Sequence, residues 1–190
     1  MNTASIEIWT EIKDFFAIIV SLGIIVIVRK IPLHFRDNRS MKLGYMKRSL
    51  SDEWGTPLGL FVGMCKTFQV FPEIDVCANE RNRKCENFFS KEQDGLIQEW
   101  NKDFFMNPSF SQAKLWIAKA FEEHRKYNVN GLAILAARTD TKAWHKFILG
   151  QANCEVIFVQ GRVRYLLPDN TPSPNPSPFP TALVIWRKFN

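Results

Sequence analysis

A chain of 190 residues with 46% hydrophobic and 23% charged residues can bury a real core, which excludes a mostly disordered protein. The net charge of +6 is unevenly spread: residues 1–50 hold eight Lys and Arg against four Asp and Glu, and residues 51–190 hold seventeen against fifteen. The larger part is only weakly basic, which permits a nucleic-acid partner without demanding one. Cys65, Cys77, Cys85 and Cys154 lack the close spacing of zinc ligands, and four cysteines are too few for a disulfide framework in a chain this long. They read as reduced thiols of an intracellular protein that holds no metal.

The first segment stands apart. Phe15 to Val28 form a fourteen-residue apolar run, followed by Arg29, Lys30, Arg36, Arg39, Lys42, Lys47 and Arg48. A membrane-spanning helix takes about 20 apolar residues, with a lower limit near 17. The run reaches that length only by extension to Leu33, with Arg29 and Lys30 inside it. Two readings stand. One is an N-terminal membrane anchor contacting the bilayer through 15–33, its basic flank and the following domain in the cytoplasm. The other is a start at Met41 or Met46, just before the globular pattern. No small-x-small cleavage site follows the run, which argues against a secreted leader. In both readings residues 1–50 are an appendage and 51–190 the main domain.

From Ser51 onward strands and helices alternate. Thr56 and Pro57 predict a helix cap and first turn, with the helix running to about Thr67. Gly55, Gly59 and Gly63 recur every fourth residue but do not make a phosphate-binding loop. Phe68 to Ala78 reads as a strand carrying Asp75 near its end, Asn87 to Phe89 as a second and Phe104 to Met106 as a third. Ser111 to Tyr127 has helical periodicity, with Trp116, Ile117, Ala120, Phe121 and His124 on one face. Leu132 to Ala137 has the length of a buried strand. Thr139 or Asp140 then caps a short helix bearing Trp144 and Phe147, closed by Gly150. Trp116 and Trp144 are core residues by spacing, and His124 and His145 packed or surface residues. Glu155 to Gln160 and Ala182 to Trp186 are the last strands. Between them, Leu167 to Pro180 holds six of the ten prolines and cannot pair as a central strand. The alternation indicates an α/β domain with a largely parallel sheet.

One tetrapeptide carries the chemistry. Asn107-Pro108-Ser109-Phe110 follows a short apolar strand, at the sheet edge where open α/β folds place their ligands. The Asn107 side-chain carbonyl and the Pro108 backbone carbonyl could accept the two N–H bonds of a planar amine while Phe110 stacks on its ring. Asn-Pro is also an ordinary turn opener, so the tetrapeptide by itself leaves both readings open.

The landmarks, taken in order, resemble the phage and prophage DNA N-6-adenine methyltransferases from about Asp52 to the C-terminus. They are Asp52-Glu53-Trp54-x-Thr56-Pro57, Ile74-Asp75-Val76-Cys77-Ala78, Asn82-x-x-Cys85, Asp94-Gly95-Leu96, Trp100 and Asn107-Pro108-x-Phe110. After the helix come Ala137-Arg138-Thr139-Asp140-Thr141, Trp144-His145, Gly161-Arg162 and Pro178-Phe179-Pro180. The resemblance implies a Rossmann-like methyltransferase fold with a seven-stranded, mostly parallel sheet ending in an antiparallel hairpin. It also implies S-adenosyl-L-methionine as methyl donor and double-stranded DNA as partner, the adenine N6 amine being the acceptor. By position, Trp54, Thr56, Pro57, Asp75, Ala78 and Asp94 match the cofactor site, and Asn107, Pro108, Ser109 and Phe110 the catalytic tetrapeptide. Arg138, Arg162 and Arg164 are the candidate DNA contacts. An adenine amine is a poor nucleophile because its lone pair is delocalised, so two carbonyl acceptors would act by positioning and electrostatics. The base must leave the duplex, and Phe110 offers it a face. Cytosine C5 chemistry would need a nucleophilic cysteine, usually after proline, and no Pro-Cys pair exists.

Three positions depart from the family pattern. Ser109 stands where a second proline is usual, Phe110 where tyrosine is usual, and Ala136 where proline is frequent. Phe110 keeps the ring and loses the hydroxyl; Ser109 loosens the backbone that aims the Pro108 carbonyl. The alternatives are a catalytically impaired DNA-binding relic and an enzyme for another planar amine, cytosine N4 or a glutamine amide.

Overall fold

The computed structural model describes residues 54–189 throughout and, before them, only the backbone of two short strands. These are β1 (Ala17–Ser21) and β2 (Ile24–Val28), paired antiparallel with Ala17 opposite Val28 and Ser21 opposite Ile24. The apolar run read as a candidate membrane anchor is divided here into two five-residue strands. Ile and Val fill eight of their ten positions, and β-branched side chains favour a pleated backbone. Among the described residues no helix is long and apolar enough to cross a membrane. The basic flank, Met41, Met46, Asp52 and Glu53 lie outside the described residues.

The main sheet is built from β3 (Ile74–Asp75), β4 (Asn87–Phe88), β5 (Phe104–Met106), β6 (Gly131–Ala136), β7 (Cys154–Phe158) and β8 (Thr181–Trp186). Its order is β4-β3-β5-β6-β8-β7. β4, β3, β5 and β6 pair in parallel, and β8 pairs antiparallel with both β6 and β7. The sheet is therefore mostly parallel and ends in an antiparallel hairpin. Among the described residues it has six strands, not the seven that the resemblance implied. The stretch from β4 to β5 is spent in turns, and a further parallel strand would need a second crossover of a dozen or more residues.

Alternation along the strands sorts side chains into two cores. Phe104, Met106, Ala133, Leu135, Ala182, Val184 and Trp186 enter one, under helices α2 (Ala113–Tyr127) and α3 (Lys142–Phe147). Phe105, Leu132, Ile134, Leu183 and Ile185 enter the other, under helix α1 (Leu58–Phe68). Every residue of β6 and β8 is buried, as expected of strands covered on both faces. At Gly131 an added Cβ would lie 2.3 Å from the Phe104 ring, so glycine is what lets β5 and β6 close. Trp100 is fully buried against Phe104 and Trp116; its indole N–H donates to the Gly95 carbonyl and its backbone N–H to Glu123.

Several boundaries differ from the sequence expectations. Phe68 belongs to α1, because Phe61, Met64, Cys65 and Phe68 make one continuous buried stripe, and the following strand is only Ile74–Asp75. Thr56 does not cap that helix. Pro57 occupies the cap position, its carbonyl accepting from the N–H groups of Leu60 and Phe61. α3 is preceded by Thr141, whose hydroxyl donates back to the Arg138 carbonyl at 2.8 Å.

The proline-rich segment lies beside residues 163–166 as an ordered strap. Prolines lack N–H groups, and the serines between them do the anchoring. Ser173 N–H donates to the Tyr165 carbonyl and Ser177 N–H to the Val163 carbonyl, both at 2.8 Å. Each hydroxyl also closes a local turn, Ser173 donating to the Asn175 carbonyl and Ser177 to the Phe179 carbonyl.

Candidate functional site

Parallel strands β3, β5 and β6 present their C-terminal ends side by side, and the candidate residues collect there. Asp75 closes β3, Asn107 follows β5 and Arg138 follows β6. The segment at Trp54 to Thr56 crosses in front of them, held by a pair of backbone bonds between Gly55 and Leu166 at 2.9 and 2.8 Å. Trp54, Gly55, Thr56, Asp75, Cys77, Asn82, Phe105 and Asn107 line a cleft of about 10 Å³ between these parts, room for about one water.

The Asn107 side chain is oriented by tertiary structure. Its Nδ2 donates to the Trp54 carbonyl at 2.7 Å, which fixes which end of the amide is nitrogen. Oδ1 is thereby the acceptor end of the amide. Pro108 is buried, Ser109 and Phe110 half-buried. Phe110 meets two rings nearly edge-on, Tyr165 at 6.4 Å and Phe179 at 5.6 Å between centroids. Trp54 lies 6.5 Å from Tyr165, and the Arg138 guanidinium sits 5.9 Å over Phe179. An aromatic row thus runs from the cleft to the proline strap.

Asp75 is buried and accepts from the backbone N–H groups of Lys84 and Cys77. Burial pushes its carboxyl up to about 7; those two N–H bonds and the Lys84 charge only partly offset this. The bonds to residues 77 and 84 give Asp75 a second task, since they hold the loop after β3. Burial and the Asp75 carboxylate push the Cys77 thiol well above its ordinary range, which keeps it protonated and unreactive. Thr56 is 2% exposed, and its Oγ1 is buried with no hydrogen-bond partner among the described residues. An unmet hydroxyl in a cleft carries a desolvation penalty that a ligand would relieve.

Other candidates fall elsewhere. Pro57 serves the helix start, and Ala78 is buried with its N–H bonded to the Phe89 carbonyl, so neither lines the cleft. Asp94 is an exposed turn residue at φ 49°, its carboxylate accepting from the Leu96 N–H. Arg138 is exposed and 3.6 Å from Asp140. Arg162 donates to the Pro178 carbonyl, and Arg164 to the carbonyls of Ser173 and Pro174, so both tie down the strap. The sequence gives Tyr165 no role, and Phe179 falls within the proline-rich 167–180 loop. Pro178-Phe179-Pro180 stood among the landmarks, but only folding brings it to Phe110. A larger cavity of about 380 Å³ lies apart from the cleft, beside edge strand β4, lined by Ile74, Asn87, Phe88, Glu99, Trp100 and Lys102 among others. Among the described residues no group of three or more His, Cys, Asp or Glu could hold a metal ion.

Comparison with known proteins identifies the family. A family profile described as DNA N-6-adenine-methyltransferase (Dam) matches residues 44–190. The chain is 26% identical over 141 residues to the DNA N-6-adenine-methyltransferase of Haemophilus phage HP1 (strain HP1c1), covering 74% of this chain and 81% of that protein. It is 28% identical over 115 residues to the DNA N-6-adenine-methyltransferase of Escherichia phage T1, covering 59% of this chain and 46% of that one. The profile spans well over half of the chain and includes the whole cleft, and on that ground the chain belongs to the DNA N-6-adenine-methyltransferase family.

Proposed function

We propose that the protein is an S-adenosyl-L-methionine-dependent methyltransferase that modifies adenine N6 in double-stranded DNA, with Asn107, Pro108, Ser109 and Phe110 as its catalytic segment. The observation that carries this reading is the 2.7 Å bond from Asn107 Nδ2 to the Trp54 carbonyl, which fixes Nδ2 as donor and leaves Oδ1 as the acceptor end of the amide. The strand order, with one reversed strand between two that run with the parallel set, is compatible with the Rossmann-like methyltransferase architecture. The catalytic domain is read as residues 51–190 and the site of action as the cytoplasm, where unpaired thiols such as those at 65, 77, 85 and 154 persist.

The donor set suits the cofactor. Trp54, Thr56 and Asp75 share one cleft with Asn107, and the partnerless Thr56 hydroxyl is a polar group awaiting a ligand atom. When bound, the cofactor supplies an electrophilic methyl on a sulfonium centre. The cleft of about 10 Å³ is smaller than the cofactor, so the site must widen on binding. Ala78 and Pro57 act by holding the cleft walls, and Asp94 is the cofactor residue least favoured by position. Toward the base, Asn107 Oδ1 and the Pro108 carbonyl accept the two N–H bonds, which localises the lone pair on nitrogen. Phe110 gives the extruded ring a face. Arg138 is the arginine best exposed toward DNA phosphate.

The full chain, given methyl-labelled S-adenosylmethionine and unmethylated DNA, is expected to label adenine N6. Asn107→Ala should lower labelling at least about a hundredfold with the circular dichroism spectrum intact. Undiminished labelling in that variant refutes the site. Label on cytosine N4 or on a protein amide would redirect the substrate, and calorimetry showing no cofactor binding would make the chain a relic.

A further inference from the structure

Phe179 is a half-exposed aromatic residue on a surface strap, yet its backbone is held at every nearby polar group. Its N–H donates to Ser177 Oγ at 3.2 Å, and its carbonyl accepts from the same hydroxyl at 3.0 Å. The Pro178 carbonyl accepts from Arg162 at 2.9 Å, and the Pro180 carbonyl from the Ala137 N–H at 2.8 Å, at the end of β6. Prolines on both sides restrict the backbone further, since a residue before proline is confined to extended conformations. Burial does not explain this degree of restraint. What the restraint fixes is a ring 5.6 Å from Phe110 at an interplanar angle of 80°, with Arg138 over it. Ser109, by contrast, leaves φ unlocked where a proline would fix it, so the tetrapeptide's own backbone restrains the Phe110 ring less than a proline there would.

We propose that Phe179 is a positioning residue: its edge-on contact sets the Phe110 ring and replaces, through the tertiary structure, the stiffness that Ser109 gives up. This rests on the reading of Phe110 as the face that receives the target base. An aromatic pair of this kind corresponds to roughly a two- to tenfold effect on an equilibrium. Removing it acts on how often the base is aimed correctly, and so on kcat rather than on overall DNA affinity.

The test uses the full chain in two arms. In methyl transfer to DNA, Phe179→Ala is expected to lower kcat roughly two- to tenfold with KM for DNA little changed. Phe179→Tyr should retain kcat, and adding Ser109→Pro to Phe179→Ala should recover most of the loss. In the second arm, 4-fluorophenylalanine is incorporated and the Phe110 fluorine signal, assigned by its absence in Phe110→Leu, is followed without DNA. Phe179→Ala should shift and broaden that signal, and Ser109→Pro should sharpen it again. An unchanged Phe110 signal overturns the proposal, as does a kcat loss that Ser109→Pro does not repair. If wild-type protein transfers no methyl group, the functional reading fails by itself, while the fluorine arm still decides whether Phe179 orients Phe110.

Discussion

Asn107, Thr56 and Asp75 show how differently a residue's role is written into a chain. Asn107 was identified from its neighbours in sequence, but what makes it an acceptor is the Trp54 carbonyl, 53 positions away. Thr56 looked like a helix cap and is instead a buried hydroxyl without a partner. Thr56→Val keeps the shape and removes that unmet group, so thermal unfolding should show unchanged stability or a gain of about 1 kcal/mol. Calorimetry should show S-adenosylmethionine affinity reduced about five- to tenfold; unchanged affinity would take Thr56 out of the cofactor site. Asp75 has a folded pKa of about 7 against 3.8 for the free carboxyl. The folded chain therefore keeps a proton that the unfolded chain has released. The stability from this group is present at low pH and falls as pH rises from about 4 to about 7, by at most about 1.4 kcal/mol per unit. Asp75→Asn lacks this titration. Its unfolding free energy relative to wild type should rise between about pH 4 and pH 7, and a constant difference in urea melts would contradict the assignment.

Elements were legible wherever local pattern and tertiary demand agreed. The stripe at Trp116, Ile117 and Ala120 put α2 in place, and the apolar runs marked β6 and β8, because fully buried strands have no polar face to confuse them. Failures came where packing outvoted propensity. Phe68 looked like the start of a strand and completes the buried stripe of α1. The glycine that opens β6 had no visible purpose until the Phe104 ring was seen across it. Gly131→Ala drives a methyl into a fully buried ring between two paired strands, which should cost about 1–3 kcal/mol in a denaturant titration. A loss of only a few tenths would mean that β5 and β6 separate more readily than their packing indicates.

At the scale of the molecule, two layers of helices cover the parallel part of the sheet and leave its C-terminal edge to loops. That edge gathers residues from 54 to 179, so no window of sequence contains the site. The charge count left a nucleic-acid partner open, and the three candidate arginines prove unequal once folded. Arg162 and Arg164 spend hydrogen bonds on the proline strap, while Arg138 is exposed over the Phe179 ring with Asp140 3.6 Å away. If Arg138 meets a phosphate, Arg138→Gln should weaken DNA binding similarly across sequences and reduce the slope of log affinity against log salt by about 0.9. An unchanged slope would remove Arg138 from the DNA surface.

The sequence by itself determined the class of the domain, the order of most elements and the tetrapeptide at the end of β5. Hydrophobic period and turn chemistry are local properties, and ordered landmarks carry a family resemblance without any knowledge of contacts. Only the tertiary structure decided that the Asn107 amide nitrogen meets the Trp54 carbonyl, that Thr56 is an unmet hydroxyl, and that the first apolar run pairs as strands. It also brought Phe179 to Phe110 across 69 positions of chain. Those outcomes depend on which distant groups folding makes neighbours, and hydrogen bonding and ring contacts act only over a few ångströms of space, whatever the distance along the chain.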